Sequence, residues 1–387
     1  MVDLIPAHCG EYDIDELAAG SIVCAEAPGR IYFMGEHCLP GEGPCIAAGI
    51  DRYVRVALSP RKDTSLRFFS ADPGERKRTT IANLRYKRED RWANHVKIAL
   101  CLFSELGHTI TGFNFTITTD IPRHSGLAYN IAVEAASAVA LRKYFGSTIN
   151  DKELINRLST LHTEFYETEK KMVDFLTVMY SKKDMFLAIN PADNSVRRIK
   201  SPFAKYKMLL LDSKVPWFGI EEELKERREI LRRATEAILS RKPSLDFDQY
   251  PTDEMTAIIA SFEEDIRRCC MHIVSEVVRV KDAEKALDEA DFAVLCKIFF
   301  YSHESLRDLY EISCPELDWL VKRAQEIPGI IAARMTGKGF GGCTYALLKQ
   351  ENIEEYNSRM DDYERIFGFR PIIYEFKLSY GARLIPR

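Results

Sequence analysis

The stretch FNFTITTDIPRHSGLAYNIAVEAASAVALRKYF, residues 113–145, constrains the fold more tightly than any other. Its opening residues are aromatic or β-branched at alternate positions, which predicts a strand. Pro122 and Ser125-Gly126 then break the pattern, and residues 130–144 read as an Ala-rich helix. That helix is apolar on nearly every side, so it has to be buried. A strand, a glycine turn and a helix start in this order suit an anion, because the first N–H groups of a helix are unpaired and its dipole is positive there. Yet the turn carries Ala128, Tyr129 and Asn130 where a phosphate site would use small hydroxylated residues.

The rest of the chain supplies partners for that helix. SIVCAEAP, YVRVALSP, LRFFSA, DMFLAIN and KMLLLD read as further strands, residues 94–106 as a helix, and 151–180 as one or two helices. From about residue 219 the character changes to a strongly charged helix, with three more helices expected through 327. A glycine loop between two strands (IIAARMTGKGFGGCTYALL) and a strand-like stretch (YEFKLSYGARLI) follow. The expected class is α+β, with a boundary near residues 200–215.

Bulk properties exclude several functions. With 387 residues, 46% of them hydrophobic and 29% charged, the chain can bury two ordinary cores and is not disordered. A net charge of −4 argues against a general nucleic-acid binder. The ten cysteines include no C-x-x-C pair, which suggests buried thiols in a reducing compartment. No run of eighteen apolar residues and no signal peptide is present, so the expectation is a cytoplasmic protein without a membrane partner.

Three segments carry candidate chemistry. APGRIYFMGEHCLPGEG, residues 27–43, sets Arg30 ahead of Glu36-His37 in a loop rich in Gly and Pro. ARMTGKGFGGCTYALL, residues 333–348, packs four glycines into six residues. Asp174 stands in the apolar helical run MVDFLTVMY, where a carboxylate needs a partner or a cleft. Each segment alone admits a bland reading: a surface cation, a tight hairpin, a structural cap.

Taken together and in order, APGRIYFMGEH, the turn at 122–134 and RMTGKGFGGC resemble the three motifs of the GHMP small-molecule kinases, and within them the galactokinase family. WANHVK (92–97), HIVSEVVR (272–279) and SHESLRDLYEISCPELDWL (302–320) are similar in wording, so the resemblance spans nearly the whole chain. It implies two α/β lobes, residues 1–205 and 206–387, with the active site in the cleft between them. It also implies ATP- and Mg2+-dependent phosphorylation of a free sugar at its anomeric hydroxyl, galactose above all.

By resemblance Arg30 stabilises the transferring phosphoryl group and Asp174 is the catalytic carboxylate. Glu36, His37 and Lys171 belong to the sugar site, and Gly337, Gly339, Gly341 and Gly342 to its floor. Ser125, Gly126, Leu127, Ala128, Asn130 and Trp92 would hold the nucleotide. Asn130 and Glu164, with Glu167 as the alternative to Glu164, are the expected Mg2+ ligands, because the family's usual metal-binding Glu aligns with His162, a poor ligand for that ion.

The departures are equally specific. Cys38-Leu39-Pro40 stand where the family has Thr-Asp-Tyr, and Lys170-Lys171 where it has Cys-Gly. Lys338 replaces a usual glycine, and no counterpart of a sugar-contacting Tyr occurs near Leu224. These changes leave two other readings: a catalytically weak or inactive homologue that binds sugar or nucleotide, or a kinase for a different sugar. The partners expected are a small sugar and ATP, and the chain is expected to be a monomer.

Overall fold

Small apolar residues dominate Val23–Met34, and an edge strand cannot bury so many of them. In the computed structural model this segment is β1, paired on one side with β2 (Cys45–Arg61) and on the other with a two-residue strand from the chain end. The structure describes residues 3–14, 21–38, 43–123, 125–168, 170–215, 219–241 and 252–386. The remaining strands are β3 (Ser65–Ser70), β4 (Glu75–Thr80), β5 (Gly112–Thr119), β6 (Met185–Asn190), β7 (Ser195–Lys200), β8 (Lys207–Asp212), β9 (Ala332–Thr336), β10 (Cys343–Leu348), β11 (Ile372–Phe376) and β12 (Arg383–Leu384).

They form two sheets. The first runs β12-β1-β2-β5-β3-β4, with β6 paired to the start of β2 and β7 to β6. Only the β3–β5 pair is parallel. The second sheet is antiparallel in the order β11-β8-β10-β9. The galactokinase-like expectation of two α/β layers therefore corresponds to two sheets, and the chain passes from one to the other between β7 and β8. Its end returns to the first: Ala25 and Glu26 of β1 pair with Leu384 and Arg383.

The helices in chain order are α1 (Leu4–Tyr12), α2 (Ala93–Glu105), α3 (Tyr129–Phe145), α4 (Asp151–Tyr166), α5 (Met172–Tyr180) and α6 (Glu221–Arg241). Then come α7 (Asp253–Ala260), α8 (Glu264–Glu289), α9 (Phe292–Asp308), α10 (Pro315–Gln325), α11 (Ile353–Ser358) and α12 (Met360–Phe367). Helix α3 meets the demand its composition makes. Every residue from Ile131 to Leu141 is buried, with β1 and β2 on one side and α2 on another. Alanine at so many positions lets the backbone approach both layers closely.

Four helices, not three, occupy residues 253–325. Thr252 caps α7 by accepting from the Met255 N–H, and Glu263, in extended geometry, starts α8 afresh after a break at Ser261–Phe262. The stretch YEFKLSYGARLI is likewise not one strand: residues 377–382 leave β11 and cross to the first sheet, where the Gly381 and Ala382 N–H groups donate to Ser181 and Val178. No helix among the described residues is long and apolar enough to cross a membrane.

The main apolar cluster is continuous between the sheets. It joins Phe33 and Ile31 of β1 to Tyr345 and Leu347 of β10, and the Tyr345 hydroxyl donates to Phe33 O at 2.8 Å. Polar groups tie the same junction. Arg334 of β9, fully buried, donates through Nη1 and Nη2 to both carboxylate oxygens of Glu36 at 2.7 and 2.9 Å. Its Nε reaches Ser302 Oγ at 2.8 Å, and Nη2 lies 3.4 Å from Glu276 Oε1. A paired buried charge is tolerated, whereas its partner left alone is not. Replacing Arg334 by Met strands two buried carboxylates, so urea unfolding is expected to show a loss of about 3–5 kcal/mol. The pair Arg334→Met with Glu36→Leu is expected to recover part of that loss.

Candidate active site

Backbone geometry around Gly29 sets up the site. The pairing of β1 with β2 shifts register between Pro28 and Gly29, a bulge that re-aims the side chains that follow. A Cβ on Gly29 would meet Ile121 Cδ1 and Leu127 O at 3.3 Å, so the turn packs directly on the strand. The Arg30 N–H donates to Leu127 O at 3.0 Å and fixes that contact.

Beyond the bulge, Arg30 meets Asp174. Arg30 Nε lies 2.7 Å from Asp174 Oδ1, and both residues are more than nine-tenths buried. Asp174 belongs to the first turn of α5, where the helix dipole also favours a carboxylate. Tyr32, two residues after Arg30 and so on the same face of β1, donates its hydroxyl to the same oxygen at 2.9 Å. The Arg30 guanidinium sits 3.9 Å from the centre of the Tyr32 ring. Tyr32 was not singled out from the sequence, although the i, i+2 spacing to Arg30 on a strand was the available signal.

The pair is charged. Burial alone would push the Asp174 carboxyl up, but Arg30, Lys171 and the Tyr32 hydroxyl outweigh it and hold its pKa below the usual value. Burial likewise opposes the Arg30 charge, and Asp174 restores and strengthens it. Among the described residues no hydrogen bond falls on Asp174 Oδ2, and Arg30 Nη1 is buried without an acceptor. Both atoms therefore keep unused hydrogen-bonding capacity.

Glu36 and His37 extend the site toward β9. The Glu36 side chain is almost fully buried in its two-pronged contact with Arg334, and Oε1 also accepts the Gly337 N–H at 3.3 Å. His37 donates through Nε2 to Gly337 O at 2.8 Å, and burial keeps its ring neutral by lowering its pKa. The loop after β1 is thus locked to the glycine loop after β9. Cys38 turns inward to a second apolar cluster with Leu306 and Tyr310. Leu39 and Pro40 lie outside the described residues. Gly339, at φ +86°, is fixed by both conformation and space, since a Cβ there would come within 2.3 Å of Ile312 O.

The turn before α3 closes the other side. Ser125 Oγ donates to Pro122 O at 2.6 Å, and Gly126 has φ +77°. Gly337 packs on this turn, with a built Cβ 3.4 Å from Gly126 O. Leu127 is buried, and Ala128 starts α3 in a left-handed conformation with no side-chain cap. Tyr129 packs against the main core, and Asn130 is exposed in the first turn. Trp92, at the start of α2, donates Nε1–H to Glu75 at 2.8 Å. Lys171 precedes α5, and it and Lys338 are close enough to repel each other. Burial first, then Lys171, Arg228 and Arg30, lower the Lys338 pKa, against attraction from Asp174. Four cations therefore share the region in front of Asp174.

The expected metal ligands are placed apart. Glu164 is exposed, whereas His162, two residues earlier and about 200° around α4, is buried and faces α3. Of the two expected metal ligands, Asn130 alone stands at the turn.

Comparison with known proteins agrees with this architecture. Family models for the GHMP kinases N terminal domain and the GHMP kinases C terminal match residues 94–182 and 283–361, and the galactokinase galactose-binding signature matches residues 16–60. The chain is 37% identical over 385 residues to a putative galactokinase of Treponema pallidum, covering 98% of this chain and 95% of that one. The chain belongs to the galactokinase family of the GHMP kinases. It is also 28% identical over 361 residues to the galactokinase of Thermotoga maritima, covering 93% and 99% of the two chains. In fold it matches a Lactococcus lactis galactokinase complexed with galactose at a TM-score of 0.87, with 23% identity over 97% of each chain. A mevalonate kinase shares the fold at a TM-score of 0.67 and 18% identity, covering 92% and 99%.

The buried carboxylates give this family member a specific acid response. Burial opposes ionisation of Glu276, but Arg279 and Arg334 hold its pKa down at about 2, against 4.5 for an unburied glutamate. A depressed carboxylate contributes stability above its unfolded pKa and loses it as pH falls toward the folded one. Stability is therefore expected to drop between pH 4.5 and about 2. Glu276→Gln is expected to lower stability at neutral pH and flatten that limb of the curve, as read by urea unfolding at stepped pH.

Proposed function

We propose that the chain phosphorylates galactose at its anomeric hydroxyl with ATP, yielding galactose 1-phosphate and ADP. The observation that carries this reading is the Arg30–Asp174 pair, with one carboxylate oxygen and one guanidinium nitrogen unengaged. Asp174 Oδ2 accepts the hydrogen of the sugar hydroxyl and orients its oxygen toward the γ-phosphorus. As the new O–P bond forms and the bond to the β-phosphate oxygen breaks, the hydroxyl proton passes to Asp174. ADP leaves with the bonding electron pair. A carboxylate held below its usual pKa is a weak base. That suffices for a loose transition state, in which the hydroxyl loses its proton only as the O–P bond develops.

Arg30 Nη1 faces the charge that develops on the transferring oxygens, held rigid by Asp174 and Tyr32. The turn at Ser125–Asn130 and the N–H groups that open α3 hold the ATP phosphates, with Lys171 and Lys338 adding charge. Asn130 would offer its amide oxygen to a Mg2+ carried in with ATP, which would neutralise phosphate charge. This suits an ion that keeps most of its ligands as phosphate and water. Glu36 and His37 shape the sugar side through their link to Gly337, and an ATP-rich reducing cytoplasm fits the ten cysteines, none of which is in a disulfide.

A second reading is supported by Ala128, Tyr129 and Asn130, which stand where the family has serines, and by His162, which faces Glu134. In that reading the chain binds sugar or nucleotide and turns over slowly or not at all. Galactose-dependent ADP release separates the two. Wild type is expected to turn over, Asp174→Asn to lose about 100- to 10,000-fold in kcat with little change in KM, and Arg30→Ala about 100- to 1,000-fold. Because Asp174 stays ionised, kcat is expected to hold level as pH falls from neutrality to the ordinary carboxylate range. Nucleotide binding with no turnover on galactose or other free sugars would leave the second reading standing.

A further inference from the structure

Behind the phosphate turn, three helices each send one metal-competent side chain to a common point. These are His95 of α2, Glu134 of α3 and His162 of α4. Their nearest ligand atoms all lie within 4.8 Å of one another, and among the described residues this is the group of His, Cys, Asp and Glu side chains that could hold an ion. His95 Nδ1 is 2.7 Å and His162 Nδ1 2.8 Å from the same atom, Glu134 Oε1. All three residues are more than nine-tenths buried, Glu134 completely.

The second oxygen of that carboxylate is the decisive observation. Glu134 Oε2 is buried and has no hydrogen-bond partner. A carboxylate carried this deep needs its charge met, and a dication held between it and the two rings would meet it. We propose that His95, Glu134 and His162 form a buried site for a borderline transition dication of the Zn2+ class, bracing α2, α3 and α4 against one another.

Zinc bonds of about 2.0–2.1 Å place neighbouring tetrahedral ligand atoms about 3.3–3.4 Å apart, so each ring nitrogen has to draw back from Oε1 by about 0.6 Å and the two nitrogens have to settle at that same spacing. Each ring would bind the ion through its Nδ1 lone pair, with the ring proton on Nε2. The Tyr166 hydroxyl lies 3.1 Å from His95 Nε2 and 3.2 Å from Nδ1, over the face of an imidazole that stacks on its own ring. Two nitrogens and one carboxylate suit Zn2+ or Co2+ and disfavour Mg2+. Asn130, exposed one turn before Glu134, is not part of this cluster, although His162 stands where the family's usual metal-binding Glu aligns. The cluster's bearing on the active site is indirect: the His162 ring packs 6.1 Å from that of Phe175, the neighbour of Asp174.

Metal content and binding of the full-length chain test this without recourse to activity. Chelator-treated wild type is expected to take up about one equivalent of Co2+ with visible d–d absorption, to exchange it for Zn2+, and to melt at higher temperature with Zn2+ than with chelator. His162→Gln and His95→Gln are expected to weaken Zn2+ binding by at least about tenfold, and Glu164→Gln, on the exposed face of α4, to leave it unchanged. Should the variants fail to fold, 15N imidazole spectra of wild type decide, with Zn2+ expected to shift two Nδ1 resonances. A wild-type chain that binds neither ion, variants that fold and still bind, or Zn2+ that shifts no ring nitrogen would each overturn the proposal.

Discussion

A guanidinium and a carboxylate, carried by two buried residues and 2.7 Å apart, are the constraint around which the rest of the molecule is arranged. Neither charge is tolerable alone at that depth, and their mutual attraction repays desolvation only when geometry is good. The β1 bulge, the first turn of α5 and the Tyr32 hydroxyl all act on that geometry. Strand and helix are 144 residues apart in sequence, so the pair also closes the first sheet against its helices.

A second buried network ties this centre to the other sheet. Arg334, Glu36, Glu276 and Ser302 connect β9, the loop after β1, α8 and α9. The loop after β9 is thereby pressed against the turn before α3 and the loop after β1. On the proposed function the sugar side and the phosphate side meet at Gly337, so that a rigid scaffold holds two substrates in one orientation. Proximity of that kind supplies much of what a protein can add to phosphoryl transfer.

Much of this was legible in the chain before any fold. Residues 130–144 announced a central helix by composition, and Arg30 and Asp174 stood out through motifs whose order pointed to the galactokinase family. The glycines at 337–342 signalled close approach, which Gly337 and Gly339 show. What stayed hidden depends on long-range pairing. Arg334 sits in a glycine-rich stretch that draws attention to its loop, not to a side chain fully buried against Glu36. Tyr32 reads as one more apolar strand residue until its hydroxyl finds Asp174. His162 looked like a lost ligand, and its place opposite Glu134 and His95 becomes visible only once α2, α3 and α4 come together. Glu164, named from spacing, falls on the exposed face of α4 because two residues along a helix reverse the side.

The central claim is that Asp174 and Arg30 act on a sugar hydroxyl and a phosphoryl group in one shared site. A crystal structure with galactose and a non-hydrolysable ATP analogue tests it most directly. The account predicts the anomeric oxygen within hydrogen-bond reach of Asp174 Oδ2 and a γ-phosphate oxygen within reach of Arg30 Nη1, with the oxygen facing phosphorus. Galactose bound away from Asp174, or a triphosphate lying where Arg30 cannot reach it, would contradict the account.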